Sequence, residues 1–476
     1  MAATTQPIEK HVQVENRIPL IIVLMLGNFI ALINETVMNV ALPNIEETLG
    51  IPTTTAHWLS TGYMLTIGIL IPISAYLMQR FTTRQLLLTA LSFFFIGTLI
   101  AGFAPNFAVL LIGRVIQASG SGIIIPLVTT VIITITPLAK RGSMLGLLMV
   151  VILFAPAIGP VFSGMIVEQF SWRYVFISVL PLTLILLGFA AYYVRNVLET
   201  KRTKIDILSV VLAVIGFGSI VIGFSSASAQ GWTSPIVLGA LLVGMLAIAY
   251  FAYRQFQLKT PMLDLRPYKN KNFLMAILVT ITVMMCFFAA MILLPVFMQD
   301  ALGISAFDSG IVLFPGGIMI AIMALLTGRL SDRFGPKPFA ITGTVLLVAM
   351  IGLMTTISTD TTKLQFTLLY VGFTFAIGLI LTPMTTLGLN QLTEELYSHG
   401  SASLNAFNQI SGAIGPALFI TLMSSGSQAV SNENANQAMT AGFQFAFTIA
   451  GAFALAAVVF VLFIKQSKPA HHYKYE

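Results

Sequence analysis

GRLSDRFGPK, residues 328–337, has an echo earlier in the chain: AYLMQRFTTR, residues 75–84. Aligned without gaps, Leu77 meets Leu330, Arg80 meets Arg333, Phe81 meets Phe334 and Arg84 meets Lys337. Each stretch closes a long apolar run, the second and the tenth. A second echo lies at nearly the same offset. Ala157, Ile158, Gly159 and Pro160 in the fifth run recur as Ala413, Ile414, Gly415 and Pro416 in the thirteenth. Both echoes are displaced by eight runs. The simplest account is two homologous six-helix halves, runs one to six and nine to fourteen, with runs seven and eight inserted between them. Parallel repeats of that kind, related by an axis along the membrane normal, belong to transporters that rock one half against the other.

Composition requires those runs to be membrane spans. The chain of 476 residues is 57% hydrophobic and 9% charged, with 35 Phe and a mean hydropathy of +0.93, more apolar surface than a water-soluble core needs. Runs of roughly 20 apolar residues, each able to cross about 30 Å of hydrocarbon as a helix, recur almost to the end. The predicted spans are Ile18–Ala41, Ala56–Met78, Leu86–Phe103, Phe107–Thr134, Ser143–Met165, Tyr174–Val194 and Ile207–Ser225. The second seven are Pro235–Phe256, Phe273–Phe297, Gly310–Gly328, Pro338–Ile357, Leu364–Thr386, Ala402–Met423 and Gly442–Ile464. The expected divisions are an N-terminal segment 1–17, a first bundle 18–200, two inserted helices 201–260, a second bundle 261–465 and a tail 466–476. The first 17 residues are polar and lack the pattern of a cleaved signal, so the first span is expected to remain in the mature protein. Ser424–Ala441, rich in Ser, Asn and Gln, reads as an irregular external loop.

Charge sets the expected orientation, because Lys and Arg accumulate on the cytoplasmic side. With the N-terminus inside, all but three of the 24 basic residues fall inside; Arg173 and Lys363 fall outside and Arg114 lies within a span. An even number of spans with both termini cytoplasmic follows. The asymmetry accounts for the net charge of +7 without a nucleic-acid partner. Cys286, the only cysteine, excludes an intramolecular disulfide and a cysteine-cluster metal site. No GxxxxGK[ST] phosphate loop or HExxH pair is present, and no soluble segment is large enough for an ATPase. A secondary active transporter is expected, needing no cofactor or metal.

Only two ionisable side chains lie in the apolar interiors of the spans, Glu35 in the first and Arg114 in the fourth. An ion at the centre of a bilayer costs about 2.5–3.5 kcal/mol on insertion scales, so such residues usually bind, relay or gate something. Glu35 lies about 12 Å below the outer end of its span, taken at Pro43, and Arg114 about 10 Å below the same surface. At 100° per residue Asn28, Glu35 and Asn39 share one face, and Arg114, Gln117 and Ser121 another. Two polar stripes at one depth suggest a shared watery cavity. A structural ion pair that fixes helix packing is the competing reading.

At this point the residues resemble the major facilitator superfamily, and within it the fourteen-span drug:proton antiporters. The resemblance covers most of the chain and rests on ETVMNVALP (35–43), RVIQASGSG (114–122), APAIGPVFSG (155–164) and GRLSDRFGPK (328–337). The third looks like the antiporter signature of exporters in the superfamily, and NETVMNVALP looks most like the lincomycin-type branch of Gram-positive bacteria. The resemblance implies efflux of small amphipathic drug-like compounds through the cell membrane, driven by proton entry. Where the family has an Asp in span one this chain has Asn34, with Glu35 beside it. The Gly and Asp of the first loop motif are Ala75 and Gln79, and Ala118 and Ser163 replace family glycines.

Burial raises the proton affinity of a carboxylate and a nearby guanidinium lowers it. Two states that differ in the surroundings of Glu35 would therefore bind and release a proton in turn, with substrate and proton competing for one carboxylate. Glu35 and Arg114 are the candidate coupling residues. Asn34, Asn39, Tyr63, Gln117, Asn405, Asn408 and Gln409 are the candidate substrate contacts, since amides within a span seek a partner or water. Ala155, Pro156, Gly159, Pro160 and Gly164 are a candidate hinge or seal between the halves. Gly328, Asp332, Arg333, Gly335 and Lys337 form a candidate latch, in which Asp332 caps a helix start. The expected partners are drug-like substrates, protons and the lipid bilayer, with the chain acting as a monomer. An ion-coupled importer of the same architecture, or a membrane enzyme or scaffold, are the alternatives.

Overall fold

The structure, a computed structural model, describes residues 17–200, 206–430 and 435–465. Fourteen helical spans among them are long and apolar enough to cross a membrane, the sixth, Arg173–Tyr193, being made of a short helix and a longer one. In chain order they are α1 (Arg17–Leu49), α2 (Trp58–Arg80), α3 (Thr83–Gly102), α4 (Phe107–Ile135), α5 (Arg141–Gln169), α6 (Leu180–Tyr193) and α7 (Ile207–Gln230). The rest are α8 (Pro235–Gln257), α9 (Lys271–Asp300), α10 (Ala306–Phe334), α11 (Pro336–Met354), α12 (Lys363–Asn390), α13 (Tyr397–Gln428) and α14 (Ala435–Leu462). No strand occurs among the described residues.

Local chemistry sets many of the helix ends. Thr82 with Gln85 and Thr362 with Gln365 form reciprocal capping boxes at the starts of α3 and α12. Asn106 accepts the Val109 N–H at the start of α4. Between α10 and α11 the chain turns at Gly335, whose φ of 83° is left-handed backbone that favours glycine, and Pro336 then opens α11. The sixth span is divided: a five-residue helix, Arg173–Ile177, precedes α6, which restarts around Pro181 because proline has no N–H to continue the ladder.

Two expectations change. Helix α1 does not stop at Ala41 but runs through Pro43 to Leu49, so Glu35 is fourteen residues, about 21 Å, from its end. Hydropathy marks the stretch that crosses lipid, whereas the polar continuation NIEETL is helical beyond it. The external loop expected over Ser424–Ala441 is mostly helix, with α13 reaching Gln428 and α14 starting at Ala435; residues 431–434 lie outside those described.

Helices α1–α6 pack among themselves around α4, and α9–α14 around α9 and α12. The two groups meet along α5 against α10 and α2 against α13. A displacement of eight helices converts one of these seams into the other, as the sequence echoes require. The pair α7–α8 lies outside both groups, with α7 touching α2 and α13. We call the end holding the start of α1 and the end of α14 the termini face. Asn272 at the start of α9 bonds there to Lys465, just beyond α14.

Candidate transport site and gate

Neighbouring residues of α1 look in different directions. Asn34 is buried and turns into the first bundle, while Glu35 is half-buried and turns to the second. Glu35 Oε1 accepts a hydrogen bond of 3.0 Å from Gln409 Nε2 on α13. The carboxylate therefore sits where the bundles meet, as its helical face suggested.

Arg114 is not its ion-pair partner. The guanidinium is fully buried inside the first bundle, and among the described residues it forms no ion pair. Its Nη1 donates to Gln117 Oε1 at 2.7 Å and to the Asn34 carbonyl at 3.2 Å, and its Nε to the Leu59 carbonyl at 3.4 Å. The Tyr63 ring lies 3.9 Å from the guanidinium carbon, close enough for a cation–π contact. Gln117 Nε2 donates onward to Asn34 Oδ1 (3.2 Å) and Thr98 Oγ1 (2.7 Å), and the Tyr63 hydroxyl bonds to Ser121 (2.7 Å).

The shared cavity inferred from two polar stripes is thus corrected: Glu35 of the α1 stripe reaches the interface of the bundles, whereas the Arg114 stripe turns into the first bundle. A guanidinium offers five donors; inside one bundle Nε and Nη1 bond to two carbonyls and an amide, the Tyr63 ring lies against its face, and the buried Nη2 has no hydrogen-bond partner. Asn34, Tyr63 and Gln117, expected as substrate contacts, instead hold Arg114 in this conformation. The side chains of Asn39 and Pro160 lie outside the described residues. Asn405 is buried, donating to Ser401 O (2.9 Å) and Thr129 Oγ1 (3.5 Å). One turn on, the buried Asn408 Oδ1 has no hydrogen-bond partner, and Gln409 holds Glu35.

The α5 motif packs on α1. Ala155 is buried and Pro156 half-buried. A Cβ at Gly159 would collide with Thr36, whereas one at Gly164 would meet open space. Close helix contact thus accounts for Gly159 and not for Gly164.

At the termini face the sequence pointed to the right carboxylate but not to its target. Asp332 caps a helix start, that of α5. Its Oδ1 accepts the Gly142 N–H (2.8 Å), and its Oδ2 accepts the Ser143 N–H (2.8 Å) and hydroxyl (2.7 Å). The start of α5 in the first bundle is thereby capped by the end of α10 in the second, a charge-assisted contact favoured by the helix dipole. The approach requires two glycines, because a Cβ on Gly328 would strike Gly142 backbone, and one on Gly142 would strike Gly328 O. Arg333 is exposed and Lys337 half-buried, both at the surface. Arg141 adds a bond to Asn390 (3.3 Å), and Ser401 one to Pro126 O (3.0 Å). These contacts run from the termini face inward to Glu35, so this conformation is closed on that face.

A sequence model described as Major Facilitator Superfamily matches residues 24–416. The chain belongs to the major facilitator superfamily. It is accordingly a multi-pass membrane transporter and not an enzyme. The transporter is 41% identical over 458 residues to the lincomycin resistance protein LmrB of Listeria monocytogenes, covering 95% of this chain and 97% of that one. It is 28% identical over 410 residues to the probable multidrug resistance protein EmrY of Escherichia coli, covering 84% and 79%. In three dimensions it resembles the proton:xylose symporter XylE, with a TM-score of 0.62, 16% identity and coverage of 95% and 96%. Human MFSD10, an organic anion transporter, gives a TM-score of 0.64 at 14% identity, with coverage of 93% and 99%. At such identities these structures speak for the fold alone.

The latch is open to direct test. Asp332→Asn keeps the shape but removes the charge and one acceptor oxygen, costing roughly 1.5–3 kcal/mol of closure. The variant is expected to label faster than the parent at a cysteine placed at Ser143, in a Cys286→Ser background. Equal labelling rates would show that Asp332 does not hold this face shut.

Proposed function

We propose that the transporter exports small amphipathic, drug-like compounds across the cell membrane in exchange for protons, by alternating access. The observation that carries this reading is the setting of Glu35. It is the one carboxylate in the apolar interior of a span, half-buried, and held by Gln409 across the meeting line of the bundles. A group bonded across that line in one state and not in the other changes its proton affinity between them. Substrate that needs the same carboxylate can then enter only as the proton leaves, which yields exchange. Residues 18–200 and 261–465 are the two moving bodies in this reading, and the basic asymmetry places the termini face in the cytoplasm. The membrane potential adds about 2.3 kcal/mol per charge per 100 mV when net positive charge moves inward. The chain works as a monomer, without a cofactor, driven by the proton-motive force. Export is preferred to import because LmrB and EmrY, matched along most of their length, are named for resistance.

Everted vesicles with an acidic lumen provide the test, challenged with a panel of lipophilic dyes and antibiotics that includes lincomycin. Compounds that are substrates are expected to accumulate in the lumen and partly dissipate the pH gradient. A gradient indifferent to every accumulated compound would refute proton exchange.

A further inference from the structure

The degenerate first copy of the loop motif has a partner of its own. Gln79 aligns with Asp332, and where Asp332 at the end of α10 meets the start of α5, Gln79 at the end of α2 meets His399 in the first turn of α13. The positions correspond and the chemistry differs. His399 is 3% exposed. Its Nδ1 accepts the backbone N–H of Asp264 at 3.0 Å, and its Nε2 lies against the Gln79 amide. A backbone amide can only donate, so Nδ1 carries no proton. The single ring proton is therefore on Nε2; the structure sets the Gln79 amide nitrogen nearest to it, and two donors cannot bond, so the amide must be turned by 180° to offer its oxygen as acceptor.

Asp264 belongs to the connector that follows α8, and that connector is anchored. Gln255 Oε1 accepts the N–H groups of Met262 (2.8 Å) and Leu263 (3.2 Å), while its Nε2 donates to Ser209 of α7 (2.7 Å). Arg254 grips Asp206, at the start of α7, through two bonds of 2.7 and 2.8 Å. Those bonds hold the Asp206 carboxyl well below the usual range, at about 2. On the far face Trp232 donates to Thr421 of α13 (2.8 Å), and Ser225 bonds to Thr61 of α2 (3.2 Å). The inserted pair thus straddles the α2–α13 seam at both faces, and His399 fastens it at one.

The charged groups facing the ring are Asp264 and Arg266 on the connector. The Asp264 carboxylate is tied to Arg266 (2.7 Å), and Arg266 also faces Glu395, just before α13. On α2, Arg80 has interactions of its own. The contacts from α4, Pro126 O and Thr129, are uncharged. Among the described residues His399 forms no ion pair.

We propose that His399 is a proton-operated clasp on the α2–α13 gate, shut while its ring carries one proton and released by a second, independently of Glu35. A second proton must go to Nδ1, where it would meet the Asp264 N–H donor to donor. The shut gate admits only the neutral ring. An opened gate returns the ring to water, where it titrates near 6.5. Acidifying from pH 7.5 to 5.5 should therefore raise the open-to-shut ratio about tenfold.

The full chain in lipid nanodiscs, carrying Cys286→Ser and Glu35→Gln so that neither the native thiol nor Glu35 contributes, can be spin-labelled at Phe81→Cys and Thr393→Cys. Both positions are exposed and flank the clasp. Pulsed electron resonance should show the longer-distance population growing about tenfold relative to the shorter one over that pH range. His399→Asn, whose amide can serve both bonds but does not titrate, should keep the short distance at both pH values, with His399→Gln as a second non-titrating form. Gln79→Ala should populate the long distance at either pH. Absence of widening in the parent, or widening that persists in a folded non-titrating variant, would overturn the proposal.

Discussion

Vesicles carrying Glu35→Gln are expected to equilibrate substrate across the membrane but not to concentrate it when a pH gradient is imposed. A gradient of one unit is worth about 1.4 kcal/mol, enough for roughly tenfold accumulation per proton exchanged. The variant should fall from that level to none. Glutamine is the informative replacement because its amide oxygen can still accept from Gln409 Nε2, preserving the contact of 3.0 Å between bundles. What it removes is the capacity to bind and lose a proton. Glu35→Asp, which titrates but is shorter by one methylene, should retain coupling at reduced rate. Undiminished accumulation by Glu35→Gln would show that coupling resides elsewhere.

Arg114→Met is expected to behave differently, as a folding defect. Removing the guanidinium leaves Gln117 Oε1 without its donor, at about 1–3 kcal/mol for an acceptor left buried and unpaired, while the Asn34 and Leu59 carbonyls lose a second donor but keep their helical bonds. The stack on Tyr63 adds about 2 kcal/mol in so dry a setting. Together these bring the expected loss to the order of 3–5 kcal/mol, read as a lower unfolding temperature in detergent. Transport by the surviving folded fraction should remain coupled to protons. A variant as stable as the parent but uncoupled would assign Arg114 to proton handling instead.

That separation of Glu35 from Arg114 marks where sequence reading reached its limit. Helical periodicity gives the face on which a residue lies, and it placed Glu35 on the face that meets Gln409. It does not say which neighbour covers that face. Arg114, Gln117 and Ser121 share a stripe as expected, but the stripe turns into Asn34, Tyr63 and Thr98 of the same bundle. The repeat 75–84 against 328–337 made the two-bundle fold legible, because each copy ends the same helix of a half. Its chemistry at Gln79 was opaque. The substitution of amide for carboxylate makes sense only beside His399, 320 positions away, and an isolated histidine at the start of a span carries no signal of such a partner. Asp332 could be recognised as a helix cap, yet that the helix belongs to the other bundle is a fact of packing alone.

Proton release on substrate binding tests the role of Glu35 most directly. Purified transporter in weakly buffered detergent solution, mixed with a compound that the vesicle assay shows to be concentrated, is expected to acidify the medium as substrate displaces the proton from Glu35. The Glu35→Gln protein, binding the same compound, should release none. Equal acidification by both proteins would contradict the assignment of proton exchange to this carboxylate.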